Sequence, residues 1–309
     1  MSGGFGYLFP GQGSQFVGMG KSLREEFPET RAVFDLADEV MEISLSGIAF
    51  EGPEETLRET RYTQPAILMV SLAILSLLEE KGWRPGIVAG HSLGEYSALV
   101  AAKVLEPRDA IAAVKRRAEL MFQAGEKWPG TMAAVLGLGS GEVEQVCREA
   151  EETGVVRPAN WNAPGQIVLS GEVPAVEKAM ELAKERGAKR VVPLPVSGAF
   201  HSELMGEASE GLRECLEATP FRDAEVPVVV NVDAAPLTRG EDLRDALVRQ
   251  LRGAVRWEEG MRRMGEEGFT RFYEVGPGRV LKGLARKIDR SFEVENIEDA
   301  ESFRKAVGA

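Results

Sequence analysis

The chain has 309 residues, 44% hydrophobic and 28% charged, with a formal net charge of -12. That length suits one large domain or a large domain with a smaller insertion, and the acidic balance disfavours nonspecific nucleic-acid binding, which needs a clustered basic surface. Two cysteines, Cys147 and Cys215, lie far apart with no C-x-x-C pairing, which argues against a disulfide framework or a structural zinc site and suits a reducing compartment.

The N-terminus carries no Lys- or Arg-led apolar leader. Phe5 to Phe9 reads as a first strand, followed by Pro10-Gly11-Gln12-Gly13-Ser14-Gln15 and a helical segment. The glycines fit no phosphate fingerprint: G-x-G-x-x-G needs glycine at Phe16, and a loop ending in Gly20-Lys21-Ser22 needs one at Gln15. What remains is a loop offering backbone N–H groups at the carboxyl end of a strand, the edge where open α/β sheets place their sites. Helical patterns follow at 29–41, 54–60 and 64–80. The apolar tract Pro65 to Leu78, broken by Ser71 and Ser76, is shorter than the ~20 residues of a spanning helix. It reads as a buried helix, and a cytoplasmic protein with no membrane segment is expected.

Ile87-Val88-Ala89 then leads into Gly90-His91-Ser92-Leu93-Gly94, and 95–104 reads as a helix. A serine on a tight strand-to-helix turn, with glycine two residues to either side, is the nucleophile-elbow pattern; the plain alternative is a Gly-rich turn whose serine caps the helix. Another helix runs from Pro107 to about Ala124. Its apolar positions Ile111, Val114, Ala118 and Met121 put Arg116 almost opposite their face and Arg117 roughly 80° from its centre, so Arg117 leans inward. Such an arginine either snorkels at a boundary or clamps a carboxylate in bidentate fashion.

From Thr131 the character changes to strand 132–138, helix 141–152, strands 155–160 and 166–170, helix 173–186 and strand 189–194. This β-α-β-β-α-β order is ferredoxin-like and marks a small subdomain at 126–198, inserted into a large domain made of 1–125 and 199–309. After Ser197-Gly198-Ala199-Phe200-His201 come a helix to about Glu217, a strand at 226–230, helices at 241–251 and 256–267, and Phe272 to Val275 ending in Gly276-Pro277-Gly278 with a helix to Ile288.

A serine nucleophile needs a base, and histidine serves near neutral pH. Of the two histidines, His91 adjoins Ser92 on a sharp turn that points consecutive side chains apart, which leaves His201 as the base. No acidic residue stands out to orient it, and a backbone carbonyl is an alternative orienter. An elbow supplies one oxyanion N–H from the residue after the serine, here Leu93; the second comes from the Gln12 loop, unless Gly11 to Gly13 is only a tight turn.

With these residues in place the chain resembles the malonyl-CoA:acyl-carrier-protein transacylases of type II fatty acid synthesis, along nearly its whole length. The resemblance is carried by Phe9 to Gln15, Thr63-Gln64-Pro65-Ala66, Gly90 to Tyr96, Arg117, Asn160 to Gln166, Phe200-His201-Ser202, Val248 to Leu251 and Tyr273 to Gly278. It implies an α/β-hydrolase-like large domain with the ferredoxin-like insertion and a ping-pong exchange through a malonyl-serine. Ser92 then matches the nucleophile, His201 the base, Gln12 and Leu93 the oxyanion-hole amides, Arg117 the partner of the malonyl carboxylate, and Gln250 the residue whose backbone carbonyl orients the histidine. Gln64, Asn162 and Phe200 fall among the substrate-binding residues. The implied partners are malonyl-CoA, as substrate, and acyl carrier protein; no permanently bound cofactor, no metal and no nucleic acid are expected, and the chain is expected to be a monomer. Gly198 departs from the residue that related polyketide acyltransferases often place there, while Ala199-Phe200-His201 keeps their malonyl-associated pattern, so a polyketide pathway stays open. The competing class is a serine esterase or thioesterase, which would place an acidic orienter between serine and histidine and gain nothing from a buried Arg117. Arg286-Lys287 and Lys189-Arg190 are the candidate basic patches for an acidic carrier.

Overall fold

The first strand, Phe5–Phe9, is buried on both faces, and this near-continuous apolar run is the signature of a parallel sheet covered on two sides. The computed structural model describes residues 4–196 and 198–308; Ser197, at the head of the expected Gly198–His201 loop, lies outside the described residues. Among them the strands are β1 (Phe5–Phe9), β2 (Ile87–Gly90), β3 (Gly130–Leu136), β4 (Val156–Ala163), β5 (Gln166–Glu172), β6 (Arg190–Pro193), β7 (Val228–Val229), β8 (Pro236–Leu237), β9 (Arg271–Val275) and β10 (Glu293–Ile297).

They form a mixed α/β fold of two sheets. The six-stranded sheet runs β10-β9-β1-β2-β7-β8 and is parallel except for β7 with β8. The four-stranded sheet runs β4-β5-β3-β6 and is antiparallel throughout. It has an apolar core of its own, built from residues such as Val135, Val146, Leu169 and Val176. Pairing of Phe9 with Gly90 and of Val88 with Val228 brings the carboxyl ends of β1, β2 and β7 together. The Gln12 loop, the Ser92 turn and Asn231 therefore emerge side by side. The far half of β4 is tied to the large part, since Trp161 N–H donates to Val255 O and Val255 N–H to Ala159 O, each at 2.8 Å.

The helix Thr60–Glu80 is buried almost all round, with an apolar wall from Ala66 to Leu78. At 21 residues it is longer than the tract read from the sequence, because Thr60, Thr63 and Gln64 are buried with it. It is long and apolar enough to cross a membrane by length and composition, and 83% of its apolar window is packed inside the fold.

Several boundaries move. The elbow helix is Gly94–Ala101 and stops short of the expected Val104, because Lys103 takes a φ of 64°, which breaks the helical path. The strand expected over 226–230 shortens to Val228–Val229, since the chain leaves the sheet for the turn that carries Asn231. Helices at Leu45–Glu51 and Ala300–Val307, and the edge strand β10, lie where the sequence reading assigns nothing.

Candidate active site

The turn after β2 forces its own glycines. A Cβ on Gly90 would stand 1.9 Å from the backbone carbon of Gly94, and one on Gly94 would stand 2.1 Å from the carbonyl oxygen of Phe9. Between them Ser92 takes a φ of 51°, a left-handed conformation that costs a non-glycine residue about 1–3 kcal/mol. The strain is held by Asn231. Its Oδ1 accepts the Ser92 N–H at 2.6 Å, its Nδ2 donates to Gly90 O at 2.7 Å, its own N–H donates to Glu95 Oε2 at 2.8 Å, and its carbonyl accepts Arg256 N–H at 3.0 Å. One buried side chain thus clasps both ends of the turn.

Ser92 Oγ lies 2.8 Å from His201 Nε2, and His201 Nδ1 lies 2.8 Å from the backbone oxygen of Gln250. A carbonyl can only accept, so Nδ1 carries the proton and Nε2 offers its lone pair to the serine hydroxyl. Burial, and then the charge of Arg117, push His201 down to about 3, so the imidazole is neutral and able to take a proton at neutral pH. His91 points away: its Nε2 is 2.8 Å from Asn162 Oδ1, and its ring packs on Trp257.

Arg117 is 1% exposed while the side chain of Arg116 lies on the surface, as a helix over Pro107–Lys127 with one apolar face requires. Its Nη1 donates to Gln64 Oε1 at 2.5 Å, and its Nη2 to Ser92 Oγ and Gln250 Oε1, each at 3.0 Å. Nε has no partner among the described residues. These acceptors are all neutral, so a buried guanidinium, pulled below its ordinary range by burial yet still cationic, stands beside Ser92 with no carboxylate of the described residues hydrogen-bonded to it.

The cavity over these groups has a volume of about 170 Å³. Gln12, Gln64, Ser92, Leu93, Arg117, Asn162, Phe200 and His201 all line it. Of the expected site residues only Gln250 stands behind the wall, where its carbonyl holds His201 and its amide holds Arg117. The backbone N–H groups of Gln12 and Leu93 donate to no other protein group among the described residues, whereas that of Ser92 is taken by Asn231. Gln64 touches Arg117 and Met121, and Asn162 touches His91, so both also brace the groups around them. No cluster of three or more His, Cys, Asp or Glu that could hold a metal occurs among the described residues.

Three site features were not legible beforehand. Asn231 follows an apolar run with nothing to tie it to Ser92, 139 residues earlier. The Gln250 side chain, donating to Ser92 O at 3.1 Å, adds to the role implied for its carbonyl. Glu95 stands in the sequence only as part of the Gly90–Tyr96 motif; it is 1% exposed, and burial pushes its carboxyl up to about 7.

Comparison with known proteins identifies the family. The family described as acyl transferase domain matches residues 6–305. The malonyl CoA-acyl carrier protein transacylase of Bacillus subtilis is 48% identical over 302 residues, covering 97% of this chain and 95% of the relative. Among solved structures, a malonyl-transacylase in complex with its type II PKS acyl-carrier protein superposes with a TM-score of 0.96 at 41% identity over 99% of each chain. An acyl carrier protein S-malonyltransferase from Vibrio cholerae gives 0.95 at 41% identity over 98% of this chain and 100% of that one. The chain belongs to the acyl transferase domain family and, within it, to the malonyl CoA-acyl carrier protein transacylases.

Proposed function

We propose that this site moves a malonyl group from coenzyme A to the phosphopantetheine thiol of an acyl carrier protein, for fatty acid synthesis, through a malonyl-serine. The observation that carries the reading is the buried Arg117 guanidinium, 3.0 Å from Ser92 Oγ and held only by neutral oxygens. It is a site for a carboxylate next to a nucleophile. An esterase has no use for such a charge, and the orienter here is a carbonyl rather than the acidic residue of the usual hydrolase.

In this reading Ser92 Oγ attacks the thioester carbonyl while His201 Nε2 takes the hydroxyl proton. The tetrahedral oxyanion is received by the N–H groups of Leu93 and Gln12, the two that no protein acceptor occupies. Collapse breaks the C–S bond, and coenzyme A leaves with the proton from His201. The guanidinium, released from Ser92, pairs with the malonyl carboxylate. The carrier thiol then gives its proton to His201 and attacks the ester, and the proton returns to Ser92. These groups suffice for the chemistry without a resident metal or cofactor, and malonyl-CoA comes and goes as substrate.

The two sheets are read as an α/β-hydrolase-like large domain (1–125 and 199–309) and a ferredoxin-like subdomain (126–198), a division supported by the separate core and the β4-β5-β3-β6 order of the smaller sheet. A cytoplasmic monomer is the working assembly, in keeping with the two free thiols. The carrier is read as docking on Arg286, Lys287, Lys189 and Arg190, all exposed. Lys287 donates to Gln166 Oε1 at 2.7 Å, Gln166 lines the cavity, and Gln166 and Arg190 both pair with Leu136 across the small sheet. Both pairs therefore flank one end of that sheet beside the cavity mouth.

The test is incubation with malonyl-CoA followed by intact mass. A malonyl adduct on the parent protein and none on Ser92→Ala is expected; an adduct that persists on Ser92→Ala would overturn the assignment.

A further inference from the structure

Two buried charges stand beside the nucleophile, and the reaction above uses only Arg117. Glu95, at the start of the elbow helix, points its Oε2 at the N–H of Asn231 and leaves Oε1 without a partner among the described residues. Arg117 has three neutral acceptors and no carboxylate. Gln250 and Asn231 join them: the Gln250 amide accepts from Arg117 through Oε1 and donates through its NH₂ to Ser92 O at 3.1 Å and to Asn231 Oδ1 at 3.5 Å, and the Asn231 N–H donates to Glu95 Oε2. Arg117 draws the Glu95 carboxyl down, and Glu95 in turn supports the charge of Arg117.

We infer that Glu95 is a specificity-setting positioning residue: its carboxylate is the resting counter-charge of Arg117, and arrival of an acyl carboxylate on the guanidinium is matched by uptake of one proton at Glu95. The inference rests on the malonyl-serine reading. One guanidinium with two carboxylates would leave a net negative charge in a buried site, which is costly; a proton from solvent on Glu95 restores neutrality with no other bond changed. Burial has already brought the Glu95 carboxyl from 4.5 to about 7, against the opposing pull of Asn231, Gln250 and Arg117, so a second anion shifts it across neutral pH.

The other groups acting on Glu95 hold their charge over this range. Arg117, on Pro107–Lys127, stays cationic. Asp233, after β7, is held ionised by Arg249. Tyr96, on Glu95's own helix, is pushed up by burial and stays neutral. Asn231 and Gln250 carry no charge, and His201, down at about 3, stays neutral.

The sign follows. Below the Glu95 range the carboxyl is already protonated, malonyl arrives without proton uptake, and the preference for malonyl over acetyl is at its plateau. Above it each malonyl must draw a proton from solvent, so the preference falls, approaching about tenfold per pH unit. Acetyl has no carboxylate and serves as the baseline, cancelling the contributions of His201 and coenzyme A.

The experiment is single-turnover competition between malonyl-CoA and acetyl-CoA on the full-length protein, from about pH 6 to 9, scored by adduct mass for the parent and Glu95→Gln. The parent's preference should fall steeply above neutrality, and that of Glu95→Gln should be flat. A flat parent curve, or the same slope in both proteins, overturns the inference. Should Glu95→Gln not fold, proton uptake by the parent in weak buffer decides: near about pH 8, malonyl loading should take up close to one proton more than acetyl loading, and equal uptake refutes the idea. A protein that never gains a malonyl mass overturns the transfer reading and this inference with it; a malonyl adduct with a pH-flat preference overturns the inference alone.

Discussion

Replacing Arg117 with alanine should invert the acyl preference of the enzyme. In the resting site the guanidinium makes three hydrogen bonds to neutral oxygens, one of them to Ser92 Oγ, and Nε makes none among the described residues. A malonyl carboxylate can replace the Ser92 bond and add a charge-assisted fork, each arm worth about 1.5–3 kcal/mol. An acetyl group supplies neither arm and leaves the guanidinium hydrogen-bonded to neutral oxygens only. The difference is about 3–5 kcal/mol, so malonyl should load on the order of 10² to 10³ times faster than acetyl. Arg117→Ala removes both the fork and the unpaired charge. It also frees Ser92 Oγ from a competing donor and lifts the pull of the guanidinium on His201, so malonyl loading should collapse while acetyl loading holds or rises. Arg117→Lys keeps the charge without the planar fork and should recover malonyl loading only in part. Competition between the two thioesters, read by intact mass, measures the ratio directly; a malonyl preference that survives Arg117→Ala undiminished means that another cation reads the carboxylate.

His201→Ala should slow loading by on the order of 10² to 10⁴ with the fold intact by circular dichroism, and parent-like loading would mean that another group is the base. Because burial and Arg117 push His201 from 6.5 to about 3, the acetyl-loading rate of the parent should stay level as pH falls through 6.5, where an unperturbed histidine would already be half protonated. A midpoint near 6.5 would contradict the buried geometry. Asn231→Ala strands the Ser92 N–H and the Gly90 carbonyl, at about 1–3 kcal/mol for each unsatisfied group, and should lower both denaturant stability and loading; unchanged values would show that the turn holds itself. Gly94→Ala drives a methyl into the Phe9 carbonyl, which as backbone of a central strand cannot yield, and should cost more than about 3 kcal/mol of stability or prevent folding.

What the sequence disclosed was local. The elbow could be read because two glycines, an apolar lead-in and a following helix lie within ten residues, and Arg117 because helical phase is a local property. His201 came by elimination in a chain with two histidines. The groups that hold these three in place were hidden, because they act through the backbone or across long separations. Asn231 reaches Ser92 from 139 positions away and the Gln250 amide reaches it from 158 away, with no motif joining them. Edge strand β10 escaped notice for a different reason: of Glu-Val-Glu-Asn-Ile only Val294 and Ile297 are buried, and the two exposed acids make it read as polar.

The neutral orienter also bears on why the acyl group is passed on rather than hydrolysed. A carboxylate behind the imidazole would stabilise the imidazolium and make a stronger base; the Gln250 carbonyl cannot do so fully, and burial beside Arg117 weakens His201 further, to about 3. A weak base can still serve Ser92, whose hydroxyl is held 2.8 Å from Nε2 and accepts from Arg117 Nη2 at 3.0 Å, a donor that favours the developing alkoxide. On the malonyl-serine reading Arg117 has turned to the acyl carboxylate by the second half-reaction, so a water, with a pKa of about 15.7, meets the weak base without that help, whereas a thiol, at about 8.5, gives up its proton readily. That reading therefore favours a thiol over water as acceptor, before any carrier contact is made. The malonyl-enzyme, freed of excess coenzyme A, should persist in buffer and be discharged on addition of pantetheine, with adduct loss followed by intact mass. If buffer alone empties the serine within the time that pantetheine takes, base strength does not protect the ester and the exclusion of water must come from elsewhere in the cavity.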